Sequence, residues 1–89
     1  MKKYKPLNIL LQQMPPGVVE MKLTFAGIEE ILQSPLPPSA WKHRAWWANP
    51  LDPNQHPYSQ AWLSAGWEVD AVNQIAGWVV FRRAAMRMV

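Results

Sequence analysis

Trp67-Glu68-Val69-Asp70-Ala71-Val72-Asn73-Gln74-Ile75-Ala76-Gly77-Trp78-Val79-Val80-Phe81-Arg82 is the stretch on which the fold turns. Trp67 to Val72 and Trp78 to Arg82 read as two strands, and Asn73 to Gly77 joins them as a hairpin loop with a glycine at its end. Trp67 and Trp78 are expected to pair across that hairpin, the common role of strand aromatics. One earlier segment has the same character. In Val18 to Leu23, Val19, Met21 and Leu23 alternate with Glu20 and Lys22, which is a period-2 strand. Pairing it with the terminal hairpin gives a three-stranded antiparallel sheet.

Helices occupy most of the remaining chain. Pro6 suits a first helical turn, Leu7, Ile9, Leu10, Leu11 and Met14 form an apolar stripe, and Pro15-Pro16-Gly17 ends it. Thr24 is a cap for a helix with Phe25, Ile28, Ile31 and Leu32 on one face and Glu29 and Glu30 on the other. After the stiff Leu36-Pro37-Pro38 link, Ser39 is expected to cap a helix from Ala40 to Ala48, and these two helices are spaced like a helix-turn-helix. Asn49-Pro50 breaks the second of them. Pro50 to Tyr58 is a loop, and Ser59 caps a short helix, Gln60 to Ala65, with Gly66 in the left-handed C-terminal position. The order α-β-α-α-(α)-β-β is that of a winged helix. The fold class is therefore α+β, a small winged-helix-like domain.

At 89 residues the chain is one domain, 1–89, with an ordered core over about 4–83 and a tail, 84–89, that is either a frayed extension or a short helix. A core this small gains from large aromatics, and the chain has 6 Trp, 2 Tyr and 2 Phe. It has no cysteine, which excludes a disulfide framework, a thiolate metal site and a cysteine nucleophile, and which fits a reducing compartment. Ile9-Leu10-Leu11 is too short for a signal core, and no apolar run approaches the roughly 18–20 residues of a membrane span. The expectation is a cytoplasmic protein that does not enter a membrane.

Three groups of residues carry a pattern. Tyr4-x-Pro6-Leu7, then Leu23-Thr24-Phe25-x-x-Ile28-Glu29-x-Ile31-Leu32 and Leu36-Pro37-x-Ser39-Ala40 come first. His43-Arg44-Ala45-Trp46-Trp47-x-Asn49 follows. Ser59-Gln60-Ala61-x-Leu63-x-Ala65-Gly66-Trp67-x-Val69 and Val80-Phe81-Arg82-Arg83 close it. Together they resemble a small bacterial and phage domain family of undefined function, whose members occur alone or joined to nuclease-like or other domains. The resemblance implies a compact winged-helix-like domain in a nucleic-acid-linked context. Gly27 stands where similar proteins tend to carry an acidic residue that would complete a capping box, and Pro50 to Pro57 is longer than usual.

The net charge of +3 is mild, but the basic residues cluster: Lys2, Lys3 and Lys5; Lys42, His43 and Arg44; Arg82, Arg83 and Arg87. These are ordinary solvated charges or one anion-facing surface. Lys42, His43 and Arg44 lie among Trp41, Trp46 and Trp47, and cations beside aromatics suit phosphates and bases. With Asn49, Gln60, Arg82 and Arg83 they are the candidate nucleic-acid contacts, on the logic that Arg reads guanine and Asn or Gln reads adenine. Trp41 and Trp47 are the candidate partner contacts. Trp46, Trp62, Trp67 and Trp78 are better explained as core, Trp47 is divided between core and contact, and Arg44 has an alternative role as an ion pair to Glu29 or Glu30.

Catalysis finds no motif. There is no Ser-His-acid set, Gly-rich phosphate loop or nucleotide fingerprint, and His43 and His56 with loop carboxylates make a poor metal set. No enzyme, cofactor or metal is expected. The expected partner is DNA, foremost double-stranded. A protein partner, as for a small phage-type inhibitor of a bacterial defence or nuclease complex, is the alternative. A homodimer sealed by Trp41, Met86 and Met88 is compatible with either.

Overall fold

The computed structural model describes residues 2–52 and 54–84. Of the expectations above, those for residues 85–89, with Met86, Arg87 and Met88, lie outside the described residues.

A 3-10 turn, Lys2–Tyr4, leads into α1, Lys5–Gln12, which has Pro6 in its first turn. Leu7 and Leu11 face the core, and Asn8 is buried beside them. The Asn8 amide donates to the Ala61 carbonyl at 3.1 Å and to Ser64 Oγ at 3.0 Å, and accepts from Gln12 Nε2, so one buried polar side chain joins two helices with its groups paired. The strand β1, Glu20–Thr24, starts later than the alternation suggested. Thr24 ends it and caps α2, Phe25–Leu32, by accepting from Gly27 N at 2.9 Å. Phe25, Ile28 and Leu32 are buried along one face of α2.

The expected helix over Ala40–Ala48 is divided. α3 is Pro38–Lys42, its cap position is Pro37 rather than Ser39, His43 is extended at φ −117° and ψ 114°, and a 3-10 turn covers Arg44–Trp47. The cause lies at the Ala40 carbonyl. A continuous helix would pair it with Arg44 N; here it accepts instead from the Trp47 indole at 2.8 Å and from Gln74 Nε2 at 2.9 Å, and both Trp46 and Trp47 are buried after the break. The next helical start is also earlier than expected. A 3-10 turn, Pro57–Ser59, runs into α4, Gln60–Leu63, so Ser59 already has helical dihedrals and makes no side-chain cap. Gly66 follows at φ +86°, a left-handed conformation that suits glycine.

The strands β2, Trp67–Asn73, and β3, Trp78–Arg83, form the terminal hairpin. β3 is central, and both neighbours pair with it antiparallel, in the order β1-β3-β2. A bulge at Asp70 separates the Val69–Phe81 and Ala71–Val80 pairs. The antiparallel register puts Trp67 opposite Arg83 and Trp78 opposite Asn73. The expected Trp67–Trp78 pair is therefore not made: the two residues sit at opposite ends of the hairpin. Trp67, Val69, Val79 and Phe81 are buried on one face. Trp78 is half-buried, with the Lys22 ammonium 4.4 Å from its ring centre. The result is an α+β domain of helices followed by a three-stranded antiparallel sheet in the expected order.

Candidate nucleic-acid interface

The break at His43 also decides what stays outside. Trp41, Lys42, His43 and Arg44 are exposed, while Trp46 and Trp47 are buried. Trp41 is 40% exposed, yet it is held in place. Its ring meets Phe25 edge-on at 4.8 Å between centroids. Gly77 also lies against the ring, where a methyl group would lie 3.3 Å from Trp41. Gly77 has φ +79° and accepts from Phe25 N at 2.8 Å. Gln74 Nε2 donates to the Ala40 carbonyl at 2.9 Å, and Asn73 Oδ1 accepts from Ala76 N at 2.9 Å. The hairpin loop is thus tied to α3, and its tip residue Ile75 is fully exposed beside these anchors. The outcome is a firm ledge of one indole, an apolar tip and the cations of Lys42 and Arg44.

The ion pair considered for Arg44 is absent. Among the described residues the salt bridges are those of Arg82, at 3.4 Å to both Glu20 and Asp70. Glu29 instead accepts from Leu36 N at 2.7 Å and fastens the Pro-rich link to α2.

The other predicted contacts are not gathered on this ledge. Trp47 is 1% exposed, stacks on Phe25 at 5.1 Å and on Trp62 at 5.8 Å, and is a core residue rather than a contact. Asn49 is exposed as a residue, but its amide is already engaged. It donates to the Val69 carbonyl at 2.9 Å and accepts from Val69 N at 2.9 Å and from the Trp62 indole at 3.0 Å. It acts as a one-residue extension of the sheet along β2, so it is not available to read a base. Arg83 is also structural. Its guanidinium stacks 4.5 Å from the Trp67 ring centre and donates to the carbonyls of Met14, Pro15 and Val18 at 2.9–3.0 Å. Those carbonyls lie just past the end of α1, where backbone groups lack helical partners. Arg82 is exposed but already faces two carboxylates, and Gln60 opens α4, which packs on α1.

Two features escaped the sequence reading. The first is the Ile75 tip beside Trp41. An isoleucine in a polar loop was its signal. The second is a cleft of about 220 Å³ lined by Lys2, Lys3, Tyr4, Pro57 and Tyr58. Tyr58 stacks on Trp46 at 4.2 Å and its hydroxyl is 2.9 Å from His56 Nδ1. Burial, and then the neighbouring Tyr4, push the Tyr58 phenol from 10.0 up to about 12, and burial raises Tyr4 as well. Nothing in the sequence pairs residue 4 with residue 58. Among the described residues no three His, Asp or Glu side chains come together as a metal set, and no helix is long and apolar enough to cross a membrane.

The chain belongs to the family described as Domain of unknown function (DUF7662), which matches residues 4–85. No curated protein and no solved structure matches it.

Proposed function

We propose that this domain binds nucleic acid, duplex DNA foremost, as a winged-helix-like adaptor or regulatory domain rather than as a catalyst. The observation that carries the reading is the ledge: Lys42 and Arg44 are exposed, make no ion pair among the described residues, and follow a 40% exposed Trp41 within three residues of the chain. Cations without a protein partner are free to replace the counterions of phosphates, and an adjacent indole offers a face or edge to a sugar or base.

The mode of contact differs from a recognition helix. The five residues of α3 span roughly 7.5 Å, less than two turns, which is too short to lay a row of side chains along a major groove. With Asn49 engaged inside the fold, the reading is backbone-dominated binding with modest sequence discrimination. Lys42, His43 and Arg44 are its contacts, and Trp41 is its anchor.

A gel shift on duplex and single-stranded DNA at low salt tests this directly. Retardation that weakens steeply as salt rises is expected; no retardation of either form at low salt would remove the proposal. A protein-binding role, such as inhibition of a bacterial defence or nuclease complex, is favoured by one observation: Ile75 is fully exposed on the loop tied to α3, which also exposes Trp41, and exposed aromatics of this kind serve as interface hot spots. Ile75→Ser, which removes the apolar tip without adding charge to the ledge, separates the two. It abolishes a protein contact and leaves low-salt duplex binding nearly intact if DNA is the partner.

A further inference from the structure

The cleft between the N-terminal turn and the Pro57–Ser59 turn lies outside the ledge and is lined by different residues. We propose that it is a site for a terminal phosphate group, either free inorganic phosphate or the 5′-phosphate of a nucleic-acid strand.

Three observations carry this. First, the lining carries donors and no carboxylate: it consists of Lys2, Lys3, Tyr4 and Tyr58, with Pro57 completing the wall. Second, the cleft is small. At about 220 Å³ it falls below the roughly 300–1,000 Å³ of pockets that enclose a whole small molecule. It suits a compact anionic group with the start of its ester chain. Third, the donors are set in place. Tyr58 is stacked on Trp46 with the rings 13° from parallel, Tyr4 lies 6.1 Å from both Trp46 and Tyr58, and the Lys3 ammonium sits 5.7 Å from the Tyr4 ring centre.

His56 completes the arrangement. The Tyr58 hydroxyl shares a 2.9 Å hydrogen bond with His56 Nδ1, which fixes the phenol oxygen of a residue that lines the cleft. A terminal phosphate group has three acceptor oxygens and a charge near −2 at neutral pH, which two ammoniums and two phenols complement.

The test follows the ring signals of Tyr4 and Tyr58 by NMR in the full chain. Inorganic phosphate, a short 5′-phosphorylated strand and the same strand with a 5′-hydroxyl are titrated at fixed ionic strength set with chloride. Saturable shifts with inorganic phosphate alone identify the free anion as the ligand. A 5′-phosphorylated strand that binds about tenfold more tightly than its hydroxyl counterpart, as one added charge-assisted contact would give, identifies the strand end. Lys2→Ala/Lys3→Ala is expected to weaken binding at least tenfold, and Tyr58→Phe, which keeps the ring on Trp46, by several-fold to about tenfold. If neither phosphate nor the phosphorylated strand moves these signals beyond chloride, or if the lysine variant binds as the parent does, the proposal is overturned. The ledge variant Lys42→Ala/Arg44→Ala should leave the phosphate titration unchanged, so this site and the duplex reading fail or stand separately.

Discussion

Trp47 and Trp41 lie six positions apart in one short segment and end in opposite environments. Trp47 is 1% exposed, Trp41 is 40% exposed. What separates them is the destination of the indole N–H. Trp47 donates to Ala40, Trp62 to Asn49 and Trp67 to Leu11, each at 2.8–3.0 Å, so three large rings enter the core with their polar atoms paired. Trp41 meets Phe25 and Gly77 through its ring and keeps part of its surface in water. Tryptophan density alone therefore does not mark a binding surface. The interior rings stabilise the domain, and the outer ring shares its segment with the unpaired cations of Lys42 and Arg44.

This contrast can be broken by substitution. The largest effect is expected from Trp47→Ala, at about 3–5 kcal/mol of lost stability, because it opens a cavity between Phe25 and Trp62. Trp41→Ala should cost less, about 2–3 kcal/mol, because two fifths of the residue already lies in water. Equal losses in urea denaturation would dissolve the distinction. Asn49→Ala comes next, at about 1–3 kcal/mol, since it leaves the Trp62 indole and both Val69 backbone groups without their partner. Its duplex affinity per folded molecule should be unchanged, and a selective affinity loss would return Asn49 to the interface. Gly77→Ala should cost about 1–2 kcal/mol, because φ +79° is strained for alanine, and its methyl would press on Trp41 and alter that residue's fluorescence.

Smallest in stability, Lys42→Ala/Arg44→Ala should change the unfolding midpoint by less than about 0.5 kcal/mol equivalent. It should nevertheless lower the slope of log affinity against log salt by about 1.8 for duplex DNA, roughly 0.9 per lost phosphate contact. A pH titration sharpens the account of the aromatic cluster. The folded Tyr58 phenol lies above its unfolded value, so its contribution is present below pH 10.0 and is lost as pH rises toward about 12. Tyr58→Phe should remove that part of the alkaline destabilisation, as followed by thermal unfolding across the same range.

The fold was legible to the extent that each element announces itself locally. The Val19–Leu23 alternation, the Thr24 cap and the Gly66 and Gly77 stops need only neighbours in sequence. Where reading failed, the deciding partner was distant. The break at His43 goes with an Ala40 carbonyl that accepts from Trp47 and from Gln74, 34 residues away, and the register that parts Trp67 from Trp78 depends on hairpin pairing. The same holds for the site. Lys42, His43, Arg44 and Trp41 were identified from their proximity in the chain, and all four are exposed. Asn49 and Arg83 were misread because their partners, Val69 and the Met14–Val18 turn, lie 20 and more than 60 residues away. A polar side chain in a motif looks the same whether it faces a ligand or a distant carbonyl.

Indole N–H signals report the division and the binding at once. In a proton–nitrogen spectrum recorded while a short duplex is added at low salt, the Trp47, Trp62 and Trp67 signals should be protected from solvent exchange and stay in place. The Trp41 signal, assigned through Trp41→Phe, should exchange quickly and move as the duplex binds. Movement of the three interior signals with Trp41 unchanged, or a Trp41 N–H as protected as theirs, would contradict the separation of core from ledge and the function proposed for it.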